Sequence, residues 1–490
     1  MQLSIPELAY TPDAEVLATP DGYRGLYAFH KYWGKKPAEP IRYLIEHLTP
    51  EGGLVVDPFM GSGIAAIEAL NLRRRVVGID INPAAIRITK LLADPPSAEA
   101  VAEGLRHIRQ AVMEPIQESY TGGSGSPATH YLWVGGEMKR VWYAGIRGRK
   151  RIESDPSPDD LALHAQYEAY APQLLRDPVF FNNPRINSSE NLSLNHLFTG
   201  RALRNIELIL GAINAMPVPW QEAMRLSLTA AVGQMSKMVF AISGRGKTTG
   251  VASERIEVGS WVIGFWRPPQ HFEVNVWKCF ERRVQRLLKA LVELPVGRIA
   301  PKMGDLSAMI SGNAECSLVN GNTLERLPEL NDGSVDLFIT DPPHGDRIPY
   351  LELSEIWNMI LGETPDFASE IVVSNAKERG KRNDGYNADM SSFLSIAARK
   401  LSGRGALVLF FNARSASSWK FFDDFRSRAA DAGMDYCGCF PLVYSAGSVV
   451  QDNRNGALKT DYGLVFARSS EKSAHLSRIP NWTTELPVRD

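Results

Sequence analysis

A glycine-rich turn between two apolar segments is the first feature of this 490-residue chain that has the chemistry of a binding site. Residues 54–56 (LVV) are predicted to form a buried strand, DPFMGSG follows at 57–63, and the next residues have a helical pattern. Glycines let the backbone approach a ligand closely, and the first turn of a helix offers free amide donors. The following strand, at 74–81, carries Asp80 near its end, where a carboxylate can accept both ribose hydroxyls. We therefore predict a site for a nucleotide-like cofactor, with a merely tight turn as the structural alternative.

A second group with chemical potential, Asp341-Pro342-Pro343-His344, directly follows the apolar run VDLFIT at 335–340. Ligands of open α/β sheets bind outside the carboxyl ends of strands, which predicts that Asp341 lies beside the cofactor. A conjugated amino group is a poor nucleophile because its lone pair is delocalised. The Asp341 carboxylate and the Pro342 carbonyl can each accept one of its N–H groups and turn the nitrogen toward a more nucleophilic geometry. All four residues of the group are therefore candidate catalytic residues.

Both groups need a sheet that brings strand ends together, and the rest of the chain predicts one. Short apolar strands alternate with helices over residues 25–95 and again over 313–468, which predicts one discontinuous α/β domain with a Rossmann-like, doubly wound sheet. Residues 96–312 differ in character: a hairpin is predicted at 131–146 and long helical stretches follow it. We expect a large, mainly helical insertion for target recognition there, and a loose C-terminal tail at 469–490.

The charge of the chain is balanced overall but locally clustered. A net charge of −1 gives no global field that would attract a polyanion. Basic runs nevertheless occur at 73–75, 139–151, 282–289 and 377–382, each of which is either a solvated face or a set of phosphate contacts. We expect at least two of the four runs to contact phosphate.

Individual cations near the predicted site, or within small-residue loops, are the candidate nucleic-acid contacts. Arg347 follows the Asp-Pro-Pro group, in the loop where a substrate would arrive. The segment 243–249 (SGRGKTT) has small residues around two cations, like a loop that grips phosphate, although it lacks the G-x-x-x-x-G-K pattern. The candidates are Arg245, Lys247, Arg347, Lys377 and Arg379.

The cysteines and the N-terminus limit the class of protein. Four scattered cysteines supply neither a disulfide framework nor the paired spacing of a zinc site, so we expect reduced thiols and no metal. The chain has no basic leader followed by an apolar stretch and no run of about 18 apolar residues. A cytoplasmic protein without membrane contact is expected.

The motifs together resemble those of the amino-methylating DNA methyltransferases, which modify adenine N6 or cytosine N4. DPFMGSG at 57–63 resembles their cofactor motif, HKYWGKKP at 30–37 resembles their H-x-K-P segment, and DPPH at 341–344 resembles their catalytic tetrapeptide. Gly321-Asn322 resembles a Gly-Asp step that contacts the cofactor adenine, with Asn in place of Asp. The resemblance implies that S-adenosyl-L-methionine is bound by His30, Lys31, Pro37, Asp57, Pro58, Phe59, Gly61, Gly63, Asp80 and Asn322.

The order of these motifs carries further implications. A cofactor turn, an insertion and then D-P-P resembles the α class of the family, in which the intervening region recognises the target. The initial Asp341 favours adenine N6, because Ser is more usual in cytosine N4 enzymes. The resemblance implies direct transfer to a flipped-out base of double-stranded DNA without a metal or a covalent enzyme nucleophile. A restriction or defence-system protein is a candidate partner, and the oligomeric state is left open.

Several alternatives remain open at this level. His344 stands where the family usually has Tyr, Phe or Trp, which leaves both activity and base identity less certain. Besides a cytosine-N4 DNA methyltransferase, the chain is compatible with an RNA base amino-methyltransferase, since D-P-P-H-G also resembles D-P-P-Y-G. A non-catalytic, cofactor-sensing nucleic-acid binder is the third alternative. Cytosine C5 methylation is disfavoured because no cysteine follows a proline.

Overall fold

The structure is a computed structural model, and it describes seven segments of the chain. Of the predicted site residues, His344, Arg347, Arg245 and Lys247 lie outside the described residues, as does the predicted tail, so those expectations stay predictions. The described segments are 23–145, 151–243, 256–295, 299–343, 348–412, 416–442 and 461–468.

Thirteen strands and fourteen α-helices lie in these segments. The strands are β1 (Leu54–Asp57), β2 (Arg75–Asp80), β3 (Ala128–Val134), β4 (Glu137–Tyr143), β5 (Ile152–Ser154), β6 (Ala241–Ser243), β7 (Ile256–Val258), β8 (Gln270–Val274), β9 (Cys316–Asn320), β10 (Val335–Thr340), β11 (Leu401–Phe411), β12 (Met434–Leu442) and β13 (Asp461–Arg468). The helices are α1 (Ala38–Leu48), α2 (Ile64–Asn71), α3 (Pro83–Ala93), α4 (Ala98–Glu118), α5 (Pro158–Glu168), α6 (Leu194–Leu197), α7 (Gly200–Ala215), α8 (Val218–Val232), α9 (Val276–Val292), α10 (Leu306–Ile310), α11 (Thr323–Arg326), α12 (Tyr350–Leu361), α13 (Asn383–Lys400) and α14 (Ala416–Asp431).

Strands from both predicted α/β pieces share one seven-stranded sheet, in the order β12-β13-β11-β10-β1-β2-β9. The ladders between β9, β2, β1, β10 and β11 are parallel, whereas β13 runs antiparallel between β11 and β12. The central strands are short and almost wholly buried, as expected when helices cover both faces of a parallel sheet. This mixed, largely parallel sheet is compatible with the predicted Rossmann-like class.

Helices pack on both faces of the sheet and form separate apolar clusters there. On one face, α1 and α2 pack against side chains of β1 and β10 such as Val55 and Leu337. On the other face, α13 and α14 cover Val56 and Phe338. Successive strand residues thus point to opposite faces, which is the period-two pattern of a doubly covered sheet.

The region between the two α/β pieces contains both helices and sheet. Helices α4, α7, α8 and α9 pack around a four-stranded antiparallel sheet in the order β5-β4-β3-β8, and β6 pairs with β7. The hairpin predicted around Gly135-Gly136 is confirmed, since β3 pairs with β4 across it. The addition of β8 and β5 to this hairpin was not predicted. The insertion therefore contains more sheet than the expected mainly helical structure. Within the described segments, no helix combines the length and hydropathy needed to span a membrane.

The glycine-rich turn at 57–63, called the cofactor turn after its predicted role, depends on a close approach between the start of α2 and helix α3. Gly63 precedes α2 with φ +75°, and a Cβ placed there would lie 2.2 Å from Thr89 Oγ1 of α3. Gly52 has nearly the same φ, +76°, but a Cβ there meets nothing within 4 Å. The two glycines therefore share a backbone conformation and differ in the space around them.

We predict that Gly63→Ala destabilises the protein far more than Gly52→Ala does. A left-handed conformation costs an L-residue about 1–2 kcal/mol at either position, and steric overlap adds about 1–3 kcal/mol at Gly63 alone. Thermal unfolding of the two purified variants measures the difference. Equal losses of melting temperature would show that the contact between Gly63 and Thr89 does not limit this turn.

Candidate active site at the carboxyl ends of the central strands

A cavity opens at the carboxyl ends of β1, β2 and β10. Four carboxylate side chains and two lysines line it together with aromatic and aliphatic groups. The acidic and basic residues in its wall are Lys35, Lys36, Asp57, Asp80, Asp341 and Glu370.

The two predicted motifs meet in this cavity through a direct hydrogen bond. Thr340 Oγ1, at the end of β10, donates to Asp57 Oδ1, at the end of β1, over 2.8 Å. The backbone amide of Phe59 donates to the same oxygen over 3.2 Å. Burial raises the pKa of Asp57 to about 7 against the opposing effect of these two hydrogen bonds, and the negative charges of Asp80 and Asp341 raise it further. The structure therefore joins the Asp57 turn to the strand end that carries Asp341.

Asp80 holds the cofactor turn in place from the end of β2. The amide of Gly61 donates to Asp80 Oδ2 over 2.6 Å, and the amide of Asn82 donates to Oδ1 over 2.8 Å. Burial raises the pKa of Asp80 to about 6. Each carboxylate oxygen has a second lone pair, so these bonds leave Asp80 capable of accepting ribose hydroxyls as well.

Asn322 lies on the neighbouring wall of the cavity, where its side chain has two structural bonds. Its Oδ1 accepts from the amide of Leu324 over 2.8 Å and so caps α11, while its Nδ2 donates to the carbonyl of Ser369 over 3.1 Å. Pro58, Phe59 and Gly61 also line the cavity. The predicted cofactor residues at 57–61, Asp80 and Asn322 are thus brought together.

Lys36 contacts the predicted catalytic carboxylate, which the sequence reasoning did not anticipate. Its Nζ lies 2.9 Å from Asp341 Oδ2 and 3.1 Å from Asp461 Oδ2 at the start of β13. Asn412, just after β11, donates from its Nδ2 to Asp461. The ammonium group therefore bridges the ends of β10 and β13, and Asn412 attaches the end of β11, the strand between them, to the same carboxylate. Its adjacency to Pro37 in HKYWGKKP is the sequence signal that could have identified it.

His30 and Lys31 do not line the cavity, so their placement does not support the predicted role as cofactor contacts, which stays a prediction. The buried His30 ring is bonded through Nδ1 to the Lys31 carbonyl and through Nε2 to Thr229 Oγ1, at 2.7 and 3.0 Å. Burial lowers the pKa of His30 to about 3, and Lys31 lies 3.8 Å from the ring centre of Trp261. The first residues of this segment thus attach to the insertion. Pro37 precedes α1 and is also absent from the cavity wall, which Tyr32 to Lys36 form instead.

Arg379 is not exposed, so its placement does not support the predicted nucleic-acid contact. Its guanidinium forms ion pairs with Glu352 at 2.7 Å and Glu370 at 2.6 Å, and only 1% of its side chain is accessible. Glu370 lines the cavity, and burial raises its pKa against the opposing effect of Arg379. Arg379 therefore supports the cavity wall. Lys377, on the same short turn, is exposed, and its predicted role stays a prediction.

Helix α12, which begins at Tyr350, joins the site to the insertion through buried polar side chains. Glu352 accepts from Asn183 Nδ2 over 2.7 Å, and Glu355 accepts from Arg176 over 2.6 Å. Both partners precede α7 in the insertion. Asn82, at the cavity, donates to Ser354 and accepts from Asn358 on the same helix. A displacement of α12 would thus disturb hydrogen bonds to the insertion and to Asn82 at the cavity together.

Two tyrosines supply aromatic surface inside the cavity. Tyr32 and Tyr350 stack with ring centres 6.0 Å apart, and both line the cavity. The Tyr32 hydroxyl accepts from Asn82 Nδ2 over 3.2 Å. A flat, partly apolar wall beside Asp341 suits a planar ligand, because π faces pack well on one another.

Comparison with known proteins gives matches in the N-terminal part of the chain. Residues 15–91 match the family model described as DNA methylase. This range contains both HKYWGKKP and DPFMGSG. The predicted resemblance to the amino-methylating DNA methyltransferases is confirmed.

Three type II methyltransferases are similar to this chain over short stretches. The chain is 38% identical over 64 residues to M2.DpnII of Streptococcus pneumoniae and 34% identical over 64 residues to M2.LlaDCHI of Lactococcus lactis subsp. cremoris. It is 28% identical over 69 residues to M.MjaII of Methanocaldococcus jannaschii. These matches cover 12%, 12% and 14% of this chain, and 24%, 24% and 13% of the relatives' lengths. The family match at 15–91 includes the Asp57 turn and Asp80, and it ends before Asp341.

We predict that binding of S-adenosylmethionine weakens as the pH falls. Asp57 and Asp80, with pKa values of about 7 and about 6, are charged at pH 8 and become neutral as the pH passes through those values. Protonation removes negative charge and acceptor capacity from a site for a cationic ligand. Titration calorimetry from about pH 8 to about pH 5.5 should show a dissociation constant that rises roughly tenfold or more.

Asp57→Asn should bind the cofactor weakly already at pH 8 and should retain only the dependence near pH 6 that Asp80 causes. Asp159→Asn, at an exposed position on α5, is the matched control and should follow the wild type. A wild-type dissociation constant that stays constant over this pH range would contradict the assignment of both carboxylates.

Proposed function

We propose that this protein is an S-adenosylmethionine-dependent methyltransferase that methylates an exocyclic amino group of a DNA base, with adenine N6 as the target. The observation that carries the proposal is the convergence of the Asp57 turn and the Asp341 strand end in one cavity, linked by the bond from Thr340 to Asp57. The family match covers the first of these motifs, and the geometry of β1 and β10 brings the second beside it.

The residues of the cavity fit this cofactor in charge and in hydrogen-bonding groups. When bound, S-adenosylmethionine supplies a methyl group on a positively charged sulfur. Four carboxylates against two lysines give the cavity wall an acidic balance, which favours a cationic ligand. The left-handed glycines let the turn pack closely against Tyr32 and Thr89 beside the cavity, and Asp80 and Asn322 lie where ribose and adenine contacts are expected.

Asp341 is the proposed acceptor for the target amino group. The ion pair between Lys36 and Asp341 Oδ2 fixes the carboxylate at the cavity wall, and Pro342 and Pro343 contribute no competing N–H donor. A fixed carboxylate that is already oriented costs little reorganisation when the amino nitrogen attacks the methyl carbon. Transfer then forms an N–C bond, breaks the S–C bond and releases one proton from the nitrogen.

The finer features of the substrate rest on the sequence resemblance. The initial Asp of the tetrapeptide favours adenine N6 over cytosine N4, and base flipping is required because a paired amino group cannot enter an enclosed cavity. DNA is preferred over RNA since the matched relatives are named type II methyltransferases. The same names support a restriction or defence-system protein as a partner.

We predict that Asp341→Ala abolishes transfer but retains cofactor binding. Removing a group that stabilises the reacting centre costs at least ~100-fold in rate, whereas the ribose and adenine contacts are untouched. The assay is transfer of a labelled methyl group from the cofactor to DNA duplex or to RNA, followed by identification of the modified nucleoside. Calorimetry on the same samples gives cofactor affinity, and Asp159→Ala serves as the matched control.

Labelled N6-methyladenine in DNA is the expected product. N4-methylcytosine would correct the base, and label in RNA alone would correct the substrate. Cofactor binding without any transfer would indicate a cofactor-sensing binder. Full activity of Asp341→Ala would contradict the proposed active site.

A further inference from the structure

Helix α9 (Val276–Val292) has one buried apolar face and one basic face. Its apolar face includes Phe280, Val284 and Leu287, which belong to the core of the insertion. Four cations recur on the other side at intervals of four, four and three residues. This spacing places them along one line of the helix surface. The cations of this line, the α9 stripe, are Lys278, Arg282, Arg286 and Lys289.

The charge of the α9 stripe is poorly compensated within the described part of the chain. Lys278, Arg282 and Arg286 form no ion pair with a described carboxylate, and Lys289 has only a long, exposed contact of 3.9 Å with Glu293. Arg282, Arg286 and Lys289 are exposed to solvent. The acidic Glu281 of the same helix is engaged by Arg109 of α4. The stripe therefore presents a net positive surface to solvent.

The other basic runs of the sequence are more fully engaged. In the run 139–151, Lys139, Arg140 and Arg151 each pair with a nearby carboxylate. In the run 73–75, the arginines bond to Glu51 or to backbone carbonyls. Arg379 of the run 377–382 is buried between two glutamates. Lys377 and Arg382 of that run are exposed, but they lie on a short turn and just before α13 rather than along one helix. Within the described residues, 282–289 is thus the run whose exposed cations share one helix face.

The stripe is continuous with the wall of the active-site cavity. Arg283, on the inner edge of the stripe, donates from Nη1 to the carbonyl of Phe29 over 2.9 Å, three residues before Tyr32, where the cavity wall begins. Burial, Arg286 and Arg282 together lower the pKa of Arg283 to about 10. Burial and then Arg283 lower the pKa of Lys35, a cavity residue, to about 8. The positive potential thus extends from the cavity wall along α9.

We propose that the α9 stripe binds the sugar-phosphate backbone of double-stranded DNA beside the base that enters the cavity. This inference rests on the proposed function. The eleven-residue span from Lys278 to Lys289 corresponds to about 16 Å of helix, or about five base pairs of duplex. Long cationic side chains without interleaved aromatics suit phosphate rather than base edges. The stripe therefore positions the duplex and contributes little to sequence readout.

The test is the salt dependence of DNA binding by a variant with Lys278→Gln, Arg282→Gln and Arg286→Gln together. The probe is a fluorescently labelled DNA duplex, and its affinity is measured by anisotropy over a series of salt concentrations in the presence of cofactor. Each lost phosphate contact should lower the slope of log K against log salt by about 0.9, so the triple variant should lose about 2–3. Arg286→Gln alone should lose about one third of that change.

The matched control neutralises three exposed cations that lie outside the stripe, Lys302→Gln, Arg404→Gln and Lys420→Gln. Lys420 belongs to α14 on the opposite face of the sheet from α1 and α2, so this control removes equal charge away from the stripe. Its slope should stay close to the wild-type value. Unchanged cofactor affinity and melting temperature in both variants would show that the fold is intact.

The outcomes separate this inference from the proposed function. If the wild type methylates DNA and the triple variant keeps the wild-type slope, the stripe has no role in binding and only this inference fails. If the slope changes with an RNA duplex but not with DNA, the assigned partner is wrong. If the wild type neither binds nor methylates DNA, both the proposed function and this inference are overturned.

Discussion

The parallel pairing of β1 with β10 is the constraint on which the rest of the site depends. Val55 and Val56 pair with Leu337 and Phe338, although these residues lie far apart in the sequence. Because the strands are parallel and in register, both end at the same edge, and Thr340 donates to Asp57 there. The insertion can therefore separate the two motifs in sequence without separating them in space. The core of the insertion packs on α3, which follows β2, and on α12, which follows the Asp-Pro-Pro group.

Two buried cations make the acidic cavity compatible with a stable fold. Lys36 lies between Asp341 and Asp461, and Arg379 lies between Glu352 and Glu370. Each cation thus joins a cavity carboxylate to a supporting one. Charges removed from water are tolerated when they are paired and hydrogen-bonded, whereas loss of one partner typically costs about 3–5 kcal/mol. The same pairs fix the carboxylates in position, which is what preorganised electrostatic catalysis requires.

The sequence predicted those site residues whose positions are determined by the strand that directly precedes them. The turn at 57–63 and Asp341 follow strands whose burial pattern is visible in the sequence, and residues 57–62 and Asp341 line the cavity, whereas Gly63 packs on α3 instead. The roles of His30 and Arg379 could not be predicted, because their partners Thr229, Glu352 and Glu370 are distant in the sequence or supplied by other elements. Lys36 was missed for the same reason, since Asp461 comes from the far end of the chain. The sheet of the insertion was missed in part because β8 and β5 are short.

The central claim is that one cavity at the ends of β1 and β10 holds the cofactor and modifies a DNA base. Single-molecule sequencing of genomic DNA from cells that express the wild type or Asp341→Ala tests it most directly. The account predicts modified adenine within a defined sequence motif in wild-type samples and its absence in the variant at equal expression. An unmodified genome in both samples, or the same modification in both, would contradict it.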